Sequence, residues 1–146
     1  MHCSHFVRRG PFANIKKCHT QLGDNVIKPK DRILHILKYL CYHTDEEHYA
    51  TISDISNYLN QSGVSVSRRT IVGDINALSN YGLDIICNKS RQNQYFIGER
   101  HFEIPELKLL VDAVQASRFI SIKRSKKLIQ KLSSFASVHQ VAELNC

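Results

Sequence analysis

Hydrophobic residues in the middle of the chain recur with a helical period in three consecutive segments. The first segment runs from about Pro29 to Tyr42, and a proline suits its first turn because no hydrogen-bonded N–H is needed there. The second begins at Thr51, which has Asp54 three residues later in the pattern of a capping box, and ends near Gly63. These two patterns predict two amphipathic helices.

The third segment predicts a helix at about 66–81, with Ser65 as its N-cap and Gly82 after its last turn. At about 100° per residue, one side of this helix is apolar and should be buried. The residues predicted to be buried are Ile71, Ile75 and Leu78. The residues on the opposite side are Arg69, Gly73 and Asn76.

Two kinds of segment connect or follow these helices. The polar run 43–48 (HTDEEH) predicts a solvated loop between the first two helices. Residues 83–87 and 94–97 are rich in β-branched and aromatic side chains, and the polar run 88–93 joins them. This pattern predicts a β-hairpin whose tip carries Lys89 and Arg91.

Three helices followed by a β-hairpin is the order of a winged helix-turn-helix. The predicted fold class is therefore mainly α with a small β-hairpin. In this architecture the third helix enters the major groove of DNA, and the hairpin contacts the backbone or the minor groove. Two more helices are predicted, from Pro105 to about Ser117 and from about Ile122 to Ala136.

The predicted organisation has three parts. Residues 1–27 show no clean period and predict an irregular leader. Residues 28–98 form the winged helix-turn-helix domain, and residues 99–146 form a helical linker region.

The exposed side of the third helix carries residue types that recognise base pairs. Arginine can bind guanine O6 and N7, and asparagine adenine N6 and N7, each worth about 1–3 kcal/mol of discrimination. The helix N-terminus and the hairpin tip add groups for phosphate. The predicted DNA-contacting residues are Arg68, Arg69, Thr70, Gly73, Asn76, Lys89 and Arg91.

Less specific interpretations of these charges remain open. Exposed arginines are common at the solvated start of a helix. Lys28, Lys30 and Arg32 are further candidates for contact with the DNA backbone. Asp74 repels phosphate and borders the apolar side, so we expect it to have a structural role.

The formal net charge of +7 does not by itself locate a nucleic-acid surface. Residues 1–25 carry a net +3 and residues 105–146 a net +4, while the segment between them has nine basic and nine acidic residues. The lysine-rich side of the last helix is either a solvated face or a DNA contact. Because the central segment has no net charge, only the positions of its individual basic side chains can define an interface with nucleic acid.

Five cysteines, an odd number, indicate reduced thiols rather than a disulfide framework. No apolar run is long enough for a signal peptide or a membrane span, so we expect a cytoplasmic protein without membrane attachment. Cys3, His5, Cys18 and His19 lack zinc-finger spacing. With no catalytic constellation visible, we expect no metal, no cofactor and no enzymatic activity.

The run RRTIVGDINAL at residues 68–78 resembles the R-[RK]-T-I-x-x-D-I-x-A-L pattern of WYL-domain regulators, whose winged helix is of the DeoR type. The run IGERHFEIPELKLLVDAVQ at residues 97–115 is similar to their linker helix. The resemblance covers roughly residues 30–140 and implies a dimeric transcription factor that binds operator DNA. The chain has no Trp-Tyr-Leu motif, so ligand sensing by a WYL domain is not implied, and we expect a regulator without that domain.

Two functions therefore remain in view. The first is a sequence-specific DNA-binding transcription regulator, or a truncated part of one, acting as a repressor by occupying its operator. The second is a protein-interaction module built on a vestigial winged helix. In the first case the helices of residues 105–136 are apolar enough to mediate a homodimer.

Overall fold

The computed structural model describes residues 28–144. In this part the chain forms six helices and three short strands, in the order α1 (Pro29–His43), β1 (Ala50–Thr51), α2 (Ile52–Gln61), α3 (Arg68–Tyr81), β2 (Ile85–Asn88), β3 (Gln94–Ile97), α4 (Ile104–Ala116), α5 (Ile122–Ser133) and α6 (Val138–Leu144). The structure is mainly helical with a small antiparallel sheet, which confirms the predicted fold class of a winged helix with additional helices.

The main hydrophobic core lies between α1, α2, α3 and the sheet. The three predicted helical periods supply it, because the residues of each apolar stripe are buried on one side of their helix. Its completely buried members are Ile36, Leu40, Ile55, Leu59 and Ile71. This core fixes the three helices relative to one another and so determines which side of α3 faces solvent.

The start of α2 follows the predicted pattern, whereas the start of α3 does not. Thr51 and Asp54 form a complete capping box, in which Thr51 N–H donates to the Asp54 carboxylate at 2.8 Å. The predicted N-cap Ser65 is wrong: Ser67 is the N-cap of α3, and its Oγ accepts a hydrogen bond from the Thr70 N–H at 3.2 Å. Val64 is buried, and residues 64–67 have no regular secondary structure, so the helix begins later than its apolar period alone indicates.

The sheet contains the predicted hairpin and one strand that the sequence did not predict. β2 and β3 pair antiparallel, with Ile85 opposite Ile97 and Asn88 opposite Gln94. β1 pairs with the other edge of β3, giving the order β1-β3-β2. A two-residue strand has no period of its own, so this pairing is visible only in the folded chain.

The helical region after the hairpin contains three helices where the sequence predicted two. The last predicted helix, at 122–136, ends at Ser133, and a further helix begins at Val138. Ser137 and Gln140 form a reciprocal pair before α6: Gln140 N–H donates to Ser137 Oγ, and Ser137 N–H donates to Gln140 Oε1, each at 3.1 Å. This Ser-x-x-Gln pattern is the sequence signature of a helix start that the hydrophobic period did not reveal.

A buried polar junction joins the winged helix to these C-terminal helices. The polar run 43–48 was predicted to be solvated, but Asp45 within it is only 3% exposed. Asp45 accepts hydrogen bonds from Ser137 Oγ and from the His48 N–H, the latter at 2.8 Å. Burial opposes ionisation of Asp45, but hydrogen bonds from Ser137 and His48 outweigh it and hold its pKa below the ordinary value.

Two further contacts cross the same junction. Arg100 donates to the carbonyl oxygen of Cys41 at 3.1 Å and also to that of Thr44, at the end of α1. The rings of His48 and His139 stack with centroids 3.8 Å apart. These contacts attach α6 and the segment before α4 to the end of α1 and the loop that follows it. On this side of the fold Ile85, the first residue of β2, pairs with Ile97, the last residue of β3.

Several predictions concern residues outside the described part of the chain. The irregular leader at 1–27, with Cys3, His5, Cys18 and His19, lies there.

Cys41 and Cys87 are free thiols, and burial raises the pKa of Cys41, as expected of an unreactive core cysteine. Between residues 28 and 144 no helix is long and apolar enough to cross a membrane.

Candidate nucleic-acid interface

The exposed side of α3 carries the residues that the sequence assigned to base contact. Ile71, Ile75 and Leu78 point into the core with at most 6% exposure. The predicted contact residues Arg68, Arg69, Gly73 and Asn76 are all exposed, and Thr70 is half-buried. The third helix therefore presents two arginines and an asparagine away from the core.

The first turn of α3 organises Thr70 as part of the helix cap. The Thr70 N–H donates to Ser67 Oγ, and the two hydroxyl oxygens lie 2.9 Å apart. Because of this bond, the Thr70 hydroxyl already has a partner before any phosphate approaches. Arg68 and Arg69 follow the cap directly, where the positive end of the helix dipole adds to their charge.

Asp74 has the structural role that the sequence predicted. Its carboxylate accepts two hydrogen bonds from Arg32 of α1, from Nε at 2.6 Å and from Nη2 at 3.1 Å. The hydrogen bond to Asp74 is the main cause of a raised pKa of Arg32. This bidentate pair fixes α3 to α1 and neutralises the one acidic side chain of α3. Arg32 is therefore engaged inside the fold, and of the basic candidates in α1 and just before it, Lys28 and Lys30 remain exposed.

A cleft of about 230 Å³ separates the first turns of α2 and α3. Ser53, Ser56 and Asn57 line one wall, and Arg68 lines the other. Hydroxyl, amide and guanidinium groups are the usual protein partners of DNA phosphate oxygens. The sequence analysis missed these α2 residues, although Ser53 and Asn57 fall on the side of that helix away from its apolar stripe, where a helical-wheel count of α2 would have found them.

The hairpin tip emerges at the same end of the molecule as this cleft. Thr51, the N-cap of α2, pairs with Gln94, the first residue of β3 after the tip. Ser53, the second residue of α2, lines the cleft together with Arg68. Lys89 and Arg91 in the tip are exposed. The start of β3, directly after the hairpin tip, therefore lies beside the N-terminus of α2, whose next residues line the cleft with Arg68.

The chemical character of this surface is set by its basic, hydroxyl and amide side chains. Asp74 is already paired with Arg32, and the exposed Asp54 carboxylate accepts hydrogen bonds from Thr51 in the cap of α2. Among the described residues no group of histidine, cysteine and acidic side chains could hold a metal ion. What the geometry can do is bind a phosphate backbone through Arg68 and place Arg69 and Asn76 against base edges.

The comparison with protein families agrees with this surface. A family model described as "FokI, D3 domain" matches residues 30–90, from the first turn of α1 to the hairpin tip. That model represents a DNA-binding-type domain, so this region of the chain is similar to such a domain. The match covers fewer than half of the 146 residues. No curated protein and no solved structure matched the chain.

Proposed function

We propose that this chain is a sequence-specific DNA-binding transcription regulator that inserts α3 into the major groove. The observation that carries the proposal is the exposure of Arg68, Arg69 and Asn76 on α3, where Arg69 and Asn76 lie opposite the buried stripe and Arg68 lies beside it. In a winged helix-turn-helix, that side of the third helix faces the base pairs. The similarity of residues 30–90 to a DNA-binding-type domain supports the same interface.

The cleft and the hairpin supply the backbone contacts in this proposal. Arg68 and the α2 residues Ser53 and Asn57 hold a phosphate beside the groove, and Lys89 and Arg91 hold a second stretch of backbone. Arg69 and Asn76 are left to bind base edges. Binding weakens steeply as salt concentration rises, because each neutralised phosphate releases condensed counterions.

We also propose that the chain is a WYL-type regulator that acts as a repressor by occupying its operator. The motif RRTIVGDINAL at residues 68–78 supports this family. Neither an enzymatic activity nor a cofactor is part of the proposal. A cytoplasmic location follows from the proposed function, since the operator is DNA.

The test is binding of a randomised duplex DNA pool by the full chain, measured by gel shift at low and at moderate salt. Arg68→Ala/Arg69→Ala should weaken binding at least tenfold, since each lost contact is worth about 1–3 kcal/mol. The matched control is Lys123→Ala/Arg124→Ala, which removes the same charge from the exposed side of α5. We expect the control to bind like the wild type.

Two outcomes would contradict the proposal. Absence of binding by the wild type would favour the protein-interaction module. Equal losses in both double variants would mean that bulk charge, rather than the α3 surface, attracts DNA.

A homodimer is proposed as the binding species. Large apolar side chains of α4, α5 and the turn between them are exposed, with Leu109 at 71%, Phe119 at 100% and Ile122 at 78%. A second copy covering this face removes these side chains from water. Light scattering at micromolar concentration should give twice the monomer mass, and a clean monomer would contradict the dimer without affecting the DNA interface.

A further inference from the structure

The structure describes four glycines, and three of them have a reason within the fold. Gly63 and Gly82 have φ angles of 81° and 117°, which other residues rarely adopt, so replacement of either would strain the backbone. At Gly98 an added Cβ would lie 2.4 Å from Ile86 Cδ1 and 2.5 Å from Asp84 Oδ2, so the ends of these two side chains would have to move.

Neither the backbone conformation nor a close contact within the chain requires a glycine at position 73. It lies in the interior of α3, outside the glycines with positive φ, so its backbone conformation suits any residue. A Cβ added to Gly73 would meet no atom within 4 Å. Alanine would fit the folded chain and would favour the helix, because an interior glycine lowers helix stability.

The position of Gly73 on α3 indicates where a binding partner would require a residue without a side chain. It lies between Arg69 and Asn76, four residues after one and three residues before the other, on the exposed side of α3. A surface that approaches α3 between these two side chains meets bare backbone. Arg69 and Asn76 would reach past that backbone on either side.

We propose that Gly73 is a specificity-determining contact of α3, where the side-chain-free backbone receives the C5-methyl group of a thymine. The inference rests on the proposed function, since it assumes that this side of α3 lies in the major groove. The thymine methyl is the apolar group that base pairs project into that groove. Gly73 has no side chain, and the space around its Cα is open, so nothing at this position holds Arg69 and Asn76 away from the neighbouring base edges.

The first experiment measures the effect of a side chain at position 73 on stability and on DNA affinity separately. Gly73→Ala and Gly73→Leu are compared with the wild type in thermal unfolding and in affinity for a duplex selected by the wild-type full chain from a randomised pool. Both variants should raise the melting temperature by a few degrees. They should weaken DNA binding, by about tenfold for alanine and more for leucine, because the added atoms hold α3 away from the base edges.

The matched control is Ser79→Leu, which adds a similar side chain at an exposed position of α3 that does not lie on the side of Gly73. This variant should bind the selected duplex like the wild type. If the Gly73 variants bind as well as the wild type, the inference is overturned while the proposed function stands. If the wild type selects no duplex from the pool, the proposed function fails and the inference fails with it.

The second experiment tests the thymine methyl directly. Each thymine of the selected duplex is replaced in turn by uracil, which removes the methyl group and leaves base pairing unchanged. One replacement should weaken wild-type binding about fourfold, as expected for one methyl-sized apolar contact. The same replacement should leave the weaker binding of Gly73→Leu unchanged. Equal affinity for every uracil-containing duplex would overturn the assignment of a thymine.

Discussion

The winged-helix part of the chain and its C-terminal helices bury their apolar residues to very different extents. In the first part, Ile36, Leu40, Ile55 and Leu59 are completely removed from water. In the second part, α5 contains no buried residue, and Phe119 just before it is fully exposed. Both parts have amphipathic helices, so the difference lies in what each apolar face contacts.

The comparison indicates that one part completes its own core and the other offers a surface. Apolar burial contributes about 25 cal/mol per Å², so unburied faces leave stabilisation unused until a partner covers them. The C-terminal helices have a small cluster centred on Leu107, and they are attached to the winged helix by the Asp45–Ser137 junction. We expect substitutions to have large effects in the first part, intermediate effects at the junction and small effects in the second part.

The largest difference in the free energy of unfolding should come from making the same Leu→Ala substitution in each of the two parts. Leu40→Ala opens a cavity in the main core and should lower the free energy of unfolding by about 2–5 kcal/mol. Leu109→Ala, at a side chain that is 71% exposed in the single chain, should change the free energy of unfolding of the monomer by less than about 0.5 kcal/mol. Urea-induced unfolding measured by circular dichroism, with the protein diluted until light scattering gives a monomer, checks both values. Similar losses at the two positions in the monomer would contradict the exposure of this face of α4.

The junction should give an intermediate, pH-dependent effect. The pKa of Asp45 is lowered in the folded chain, so its ionised form stabilises the fold above the unfolded-state value of about 3.8. This contribution is lost as the pH falls below that value through the folded-state pKa. Asp45→Asn should lower the free energy of unfolding at pH 7 by about 1–3 kcal/mol, because partners of the buried carboxylate lose their acceptor.

The same variant should also show a weaker dependence of stability on pH. Between about pH 5 and pH 2, the free energy of unfolding should fall less steeply for Asp45→Asn than for the wild type. Glu46→Gln is the matched control, since Glu46 is the exposed neighbour of Asp45. If both variants follow the wild-type pH profile, Asp45 does not tie the two parts together through its charge.

The smallest contrast concerns the caps of α3 and α5. Ser67 and Ser121 are the N-cap residues of these helices, but only Ser67 accepts a side-chain cap hydrogen bond. Ser67→Ala should therefore lower the free energy of unfolding by about 1 kcal/mol, and Ser121→Ala by a few tenths at most. Thermal unfolding of the two variants checks this difference. A loss of equal size in Ser121→Ala would contradict the absence of a side-chain cap hydrogen bond at the start of α5.

Local patterns made the winged helix predictable from the sequence. The apolar stripes, the Thr51–Asp54 capping box and Gly82 after α3 are short-range signals, and each was found where the sequence placed it. The exposure of Arg69, Gly73 and Asn76 follows directly from the stripe on the other side of the same helix. For this reason the orientation of α3 could be predicted, while its contact with DNA stays a prediction.

What the sequence did not predict depends on partners that are distant along the chain. Asp45 lies in an acidic run that indicates a solvated loop, and its burial depends on Ser137. β1 exists because it pairs with β3. The cleft between α2 and α3 could have been anticipated in part, since Ser53 and Asn57 lie opposite a visible apolar stripe.

The most direct test of the proposed interface is to map the amide resonances that shift when the full chain binds duplex DNA. The account predicts that the largest shifts fall at residues 68–76 of α3 and 89–93 of the hairpin tip, with smaller shifts around Ser53. Amides of α5 at residues 122–133 should change little. Shifts concentrated in α4 and α5, with α3 and the hairpin tip unchanged, would contradict the assignment of this surface to DNA.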